Sequence, residues 1–133
     1  MSRTAAIRKT AAAPAAAFPL PALAKGEAYA GVLLKGGKLS HHLVLLPGEN
    51  GGANWKDACA WAGKQDGELP TRKEQALLFA NAVEHFQPQW YWSSEEYAGD
   101  AGYAWIQGFY DGSQDRYLKS NQFSARAVRR IPI

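Results

Sequence analysis

The sequence predicts a single α+β domain, and three observations point to it. Two helix-start signals stand in tandem between residues 54 and 88. Strand-patterned segments lie before and after that pair instead of alternating with it, and 133 residues give room for one self-sufficient core. A hydrophobic fraction of 47% with 20% charged residues is ordinary for a soluble globular chain. Aromatic residues reach 12%, mostly after Trp55, so rings are available for a recognition surface as well as a core.

Taken in order, residues 1–24 form an Ala/Pro-rich N-terminal arm, and 25–133 form the domain. The arm has too few sizeable apolar groups to offset its own ordering entropy, so it reads as an anchor pinned by a partner or as a linker. Gly26 to Lys35 reads as a strand, Gly36-Gly37 as a turn, and Ser40 to Leu46 as the returning arm of a hairpin. Glu49 to Ala53 reads as loop.

The first helix starts at the cap Asn54, with Asp57 at its third position. Trp55, Ala58, Cys59 and Ala62 share one face at helical spacing, and Gly63 and Gly67 mark the end. The second start is a capping box, Thr71 to Glu74, directly after Pro70. Phe79, Val83 and Phe86 form its apolar stripe, Ala76 and Leu78 add to the buried side, and Pro88 stops it. Trp90 to Ser94 is a short aromatic strand, and Gly99 to Gly102 is a loop. Tyr103 to Tyr110 alternates, with Trp105, Gln107 and Phe109 facing one way and Ala104, Ile106, Gly108 and Tyr110 the other. Asp111-Gly112 is a turn. Asp115 to Asn121 is a strand or an irregular loop, and Ser124 to Ile133 is the last strand.

Several function classes are disfavoured. The net charge of +3 sits largely at the chain ends, while Asp and Glu interleave through the middle, so no nucleic acid is expected as partner. One cysteine, Cys59, allows no internal disulfide and no cysteine metal site. No apolar run approaches the roughly 20 residues of a membrane span, so no membrane insertion is expected. The basic start and Ala-rich stretch imitate a secretory leader, but Pro14, Pro19 and Pro21 interrupt it, and secretion by a signal peptide is not expected.

Leu69-Pro70-Thr71-Arg72, Tyr91-Trp92-Ser93-Ser94-Glu95, Ala104-Trp105 and Ala125 to Arg130 follow one another in that order. In this the chain, over about residues 26–133, resembles a family of phage, prophage and bacterial adhesin domains with an LPT helix start, a YWSS strand and a closing VR strand. That family is similar to the C-type-lectin fold of diversity-generating-retroelement variable proteins. The resemblance implies two helices flanking a small, mostly antiparallel sheet, with the N- and C-terminal strands paired (Tyr29–Leu34 beside Ala127–Ile131) and a loop-rich binding face. It places Trp105, Gln107, Phe109, Gly112, Gln114, Lys119 and Arg126 at framework positions. It places Ile106, Gly108, Tyr110, Asp111, Ser113, Asp115, Arg116, Tyr117, Ser120 and Asn121 at display positions.

Tyr97, Tyr103, Tyr110 and Tyr117 punctuate polar, loop-rich sequence, the composition of an adaptable binding surface. Together with the display positions that the resemblance implies, this gives the expected ligand-binding set Tyr97, Tyr103, Ile106, Tyr110, Asp111, Ser113, Asp115, Arg116, Tyr117 and Asn121. The implied function is non-enzymatic: a receptor-binding or host-attachment module of a phage tail, with a structural virion component as the alternative. The implied partners are a host cell-surface protein or glycan, other tail proteins through the arm, and further copies of the chain in a homo-oligomer. The implied location is the virion, or the bacterial cytoplasm before assembly.

No cofactor is expected. The calcium-lectin triplets are missing, and Asp100, Asp111 and Asp115 are scattered among turns, where aspartate caps its own backbone. His41 and His42 sit on a strand and diverge, so they do not chelate one ion. Glu95 and Glu96 diverge likewise, and Ser93-Ser94 has no evident base.

Overall fold

The computed structural model describes residues 19–133, and the predicted arm up to Phe18, with Arg3, Arg8 and Lys9, lies outside the described residues. The described chain is an α+β domain of two helices and two mostly antiparallel sheets. In order the elements are β1 (Ala28–Lys35), β2 (Lys38–Leu45), β3 (Asn50–Ala53), α1 (Trp55–Lys64) and α2 (Arg72–Ala82). A 3-10 turn (Val83–His85) leads to β4 (Trp90–Glu96), β5 (Tyr103–Gly108), β6 (Gln114–Leu118), β7 (Phe123–Ala125) and β8 (Val128–Pro132).

The smaller sheet has the order β1-β2-β8. Its hairpin forms as the sequence predicts: Gly36 and Gly37 both have positive φ, 58° and 77°, which a two-residue turn between right-twisted strands requires. The last strand does not pair with the first. β8 lies antiparallel to β2, with Arg130 opposite Leu43 and Arg129 opposite Val44. The reason is legible in β2 itself. Leu43, Val44 and Leu45 are consecutive and fully buried, a strand covered on both faces, and such a strand belongs in the middle of its sheet.

The larger sheet has the order β3-β7-β4-β5-β6. The segment expected as loop at 49–53 supplies β3, which pairs with β7 through Asn50–Ala125 and Ala53–Phe123. The expected single last strand is two strands in different sheets. Between β7 and β8 the chain crosses through the buried residues Arg126 and Ala127. β4 and β7 run parallel, and every other pairing is antiparallel.

Both helix starts form as expected. The Asn54 side chain accepts from the Asp57 amide at 2.9 Å, and Thr71 and Glu74 complete a capping box. α1 lays Ala58 and Ala62 on one face of the larger sheet, against Trp92, Ala104, Ile106 and Ala125. α2 fills the space between the sheets, and its buried residues are Glu74, Gln75, Leu78 and Ala82. This corrects the expected stripe. Ala76 and Val83 are exposed, and Phe79 and Phe86 are half-buried against Phe109. Two polar residues hold the buried face because each finds partners there, which polarity patterning does not reveal.

The β5–β6 turn ties to α2 at Gly112, whose φ is 81°. A Cβ there would lie 2.8 Å from the Phe79 ring. Gly112→Ala is therefore expected to cost about 1–3 kcal/mol, read as a lower urea midpoint at unchanged m-value. An unchanged midpoint would show that the turn is looser than this packing implies.

Candidate functional site

The outer part of the β4-β5-β6 sheet carries the site. Antiparallel partners share a face, so Tyr103, Trp105 and Gln107 of β5 lie beside Leu118, Arg116 and Gln114 of β6. The N-terminus of α2 stands over one end of this face. A chain of amides starts in the interior and runs out to it. Gln75, fully buried, donates to the carbonyls of Tyr91 and Trp92 at 3.2 Å. Gln107, also fully buried, donates to the Gln75 backbone carbonyl at 2.7 Å. Gln114 donates to Gln107 Oε1 at 2.8 Å and to the Arg72 carbonyl at 2.9 Å, and it accepts from Arg72 Nε at 2.9 Å.

The chain ends on a positioned cation. The Arg72 guanidinium lies 3.5 Å from the centre of the Trp105 ring. Tyr97 meets Trp105 edge-on at 5.7 Å, and Arg116 lies 4.8 Å over Tyr97. The result is a ladder, Arg72–Trp105–Tyr97–Arg116, of alternating cation and ring, in which each contact holds the next side chain in one rotamer. Beside it opens a cleft of about 750 Å³, lined among others by Arg72, Lys73, Glu95, Gln107 and Gln114. Glu95 accepts from the Arg72 amide at 2.7 Å, so its carboxylate meets the first amide of α2, where a negative charge is favoured. The cleft offers a fixed guanidinium fork, a carboxylate and amides, a set suited to orienting a polar ligand.

The ten residues expected to bind ligand fall into three groups. Tyr97, Tyr103 and Arg116 lie with Trp105 on the ladder face. Tyr110, Asp115 and Tyr117 lie toward the other face, where Tyr110 meets Trp90 edge-on at 6.2 Å and Tyr117 meets Phe123 at 5.3 Å. Asp111, Ser113 and Asn121 belong to turns. Asp111 accepts from the Ser113 amide at 3.0 Å and its hydroxyl at 2.8 Å; these bonds lower the Asp111 pKa, the amide more than the hydroxyl.

Ile106 is the exception. It is 2% exposed, packed with Trp92 and α1 in the core, and cannot display anything. Gly108 is buried too. The alternation along β5 holds, but the resemblance implies that the Ile106 face meets solvent, and α1 covers that face.

Sequence reasoning gave Trp105 and Gln114 framework roles and treated Arg72 only as part of a helix start. Arg72 and Gln114 line the cleft, and Trp105 carries the Arg72 guanidinium on its ring. The clue was Arg72 itself, directly after the Thr71 cap and so at the helix end nearest the sheet, but nothing local shows that a tryptophan waits there.

The remaining candidates hold the frame, and of them Glu95 also lines the cleft. The His41 ring nitrogen Nε2 is 2.7 Å from Glu74, while His42 Nδ1 is 2.8 Å from the Tyr29 hydroxyl, so the two rings do diverge. Glu95 binds the Arg72 amide and Glu96 pairs with Lys119. Ser93 is buried, with its hydroxyl accepting from the Glu95 amide at 3.1 Å. Cys59 packs partly into the core of α1, and burial raises its thiol pKa. Burial, then the Glu49 carboxylate, pushes the Tyr91 hydroxyl far up, and burial pulls Arg126 down; both belong to the interior of the frame. Among the described residues no cluster of His, Cys, Asp and Glu has metal-site geometry, and no helix is long and apolar enough to cross a membrane.

No protein-family model matches this sequence, and no curated protein shows significant similarity to it.

Proposed function

We propose that this protein is a non-enzymatic ligand-binding module that works as a receptor-binding or host-attachment part of a phage or prophage tail. The observation that carries the binding part is the Arg72–Trp105–Tyr97–Arg116 ladder beside its cleft. One fully buried amide, Gln107, anchored on the Gln75 backbone carbonyl, fixes one surface guanidinium through Gln114, and a frame spends a buried polar group in that way where a surface side chain must be held to one geometry. The phage setting and the C-type-lectin-like fold rest on the ordered LPT, YWSS and VR segments. They are supported by two helices packed on mostly antiparallel sheets. β2 lies between the first and last strands, and Arg129 of β8 reaches across it to pair with Glu27 at 2.8 Å. In a multi-copy tail, repetition would turn weak single contacts into avidity.

The test is binding of the labelled protein to intact cells from a panel of bacterial strains, with Arg72→Ala and Arg116→Ala compared with wild type at matched stability. Binding to at least one strain is expected, with each variant weaker by about tenfold, the loss typical of an interface anchor. Wild type that binds no strain, or variants that bind as well as wild type, would overturn the reading.

A further inference from the structure

We infer that the hollow between Trp90 and Tyr110, on the opposite side of the larger sheet from the ladder, is a subsite for one ring of an uncharged saccharide. It stands apart from the cleft described above and does not depend on it.

The hollow measures about 240 Å³ and is bounded by Trp90, Tyr110, Gln89, Gln122, Ser124 and Gly51, with Phe123 at its base. That is below the roughly 300–1,000 Å³ of pockets for drug-sized ligands, and suits one six-membered ring. Two of its walls are aromatic and stand nearly perpendicular, at 73°. Tyr110 is 58% exposed and still folded back over the strand. It lies there because residue 108 is glycine: a Cβ at Gly108 would come 3.1 Å from the Tyr110 ring and 3.4 Å from Trp90. The bare strand lets both rings form the corner.

The polar groups are all neutral. Gln89 Oε1 accepts from the Ser124 hydroxyl at 2.8 Å, which fixes the amide and leaves its NH₂ to donate. Gln122 is exposed beside it. None of the lining residues is charged. A phosphate or carboxylate ligand would call for Lys or Arg at the wall, and a nucleic acid would bring phosphates with the same demand. A purely apolar ligand would leave the amides unused. A saccharide ring offers what these walls match: an apolar C–H face for a ring and a rim of hydroxyls that both donate and accept.

The experiment is a titration of the ¹⁵N-labelled full chain with glucose, galactose, mannose, N-acetylglucosamine and their short oligomers. The Trp90 indole N–H and the Gln89 and Gln122 side-chain amides are followed. At least one sugar is expected to shift these signals saturably. Tyr110→Ala should weaken that sugar by about tenfold, the scale of one lost aromatic contact. Tyr110→Phe should retain it, and Arg72→Ala should leave it unchanged. Tyr110 is exposed, so these substitutions leave the core intact. No shift at tens of millimolar sugar, shifts only at the Trp105 side, or full retention in Tyr110→Ala would each sink the proposal. Loss of cell binding in Arg72→Ala with Trp90 unmoved by sugars would leave the ladder site standing and remove this one.

Discussion

Glu74→Ala is expected to lose about 3–5 kcal/mol of stability, the cost of leaving the partners of a buried ion pair uncompensated. Glu74 is 1% exposed and holds three elements at once. Its Oε1 accepts from the Thr71 amide at 2.8 Å, closing the α2 cap, and from Arg130 Nη2 of β8 at 2.8 Å. Its Oε2 lies 2.6 Å from Arg130 Nε and 2.7 Å from His41 Nε2 of β2. Alanine leaves Arg130 with only the exposed Glu68 as carboxylate partner and leaves the Thr71 amide unpaired. Domains of this size are stable by only about 5–15 kcal/mol, so the loss would show as a large drop in urea midpoint. Glu74→Gln should lose less, because glutamine still serves a capping box. Equal midpoints for wild type and Glu74→Ala would mean that the network contributes nothing.

The same residue sets a pH dependence. Burial alone would raise the Glu74 pKa, but the bonds from Arg130, the Thr71 amide and His41 outweigh it and hold the carboxyl below its ordinary range. A group depressed in the folded state contributes stability that is present above its unfolded pKa and lost as pH falls through its folded pKa. Glu27 acts in the same direction, through the Arg129 hydrogen bonds first and the Ala24 amide second. Urea midpoints measured from neutral pH into the acid range should therefore fall for wild type, and fall less steeply for Glu74→Gln. Parallel profiles would show that another carboxylate carries the acid transition.

What the sequence made legible was local. The caps at Asn54 and Thr71, the Gly36-Gly37 turn and the β5 alternation are each settled within a few residues, and each formed as read. What it hid was partnership across the chain. Glu49 to Ala53 looks like loop because two glycines and a glutamate carry no strand pattern; it becomes β3 because β7, some seventy residues later, offers an edge. The last strand reads as continuous because SARAVRRIPI has no breaker before Pro132, yet Arg126 finds carbonyl acceptors inside the fold and the chain changes sheets there.

The binding surface follows the same rule. Tyr97, Tyr103, Tyr110 and Tyr117 were legible by composition and Arg116 through the resemblance, and the structure puts Tyr97, Tyr103 and Arg116 on one face. Ile106 was not, because period-2 alternation tells which residues share a face and never which face is covered. Arg72 and Trp105 meet only in three dimensions, more than thirty residues apart. Gln75 and Gln107 look like surface residues by type, and they are buried because each amide finds a carbonyl at the right distance.

Arg126→Ala is expected to cost a further large sum, about 3–5 kcal/mol, combining a lost buried side chain with an orphaned buried acceptor, the Leu46 carbonyl. Arg126 sits 9% exposed at the crossing from β7 to β8. Its Nη2 donates to the Leu46 carbonyl at 2.8 Å and its Nη1 to the His85 carbonyl, with the guanidinium 5.3 Å over Phe86. One side chain thus ties the end of the β2 segment, the end of the α2 region and the crossing strand together. Arg126→Met, which keeps much of the volume, should cost only about 1–3 kcal/mol, since the carbonyls lose their donor but the space stays filled. If Met proves as damaging as Ala, the hydrogen bonds carry the effect. If Met is neutral, packing against Phe86 carries it. If Ala matches wild type, the crossing is held by the β8–β2 ladder alone, and Arg126 is dispensable to the junction between the two sheets.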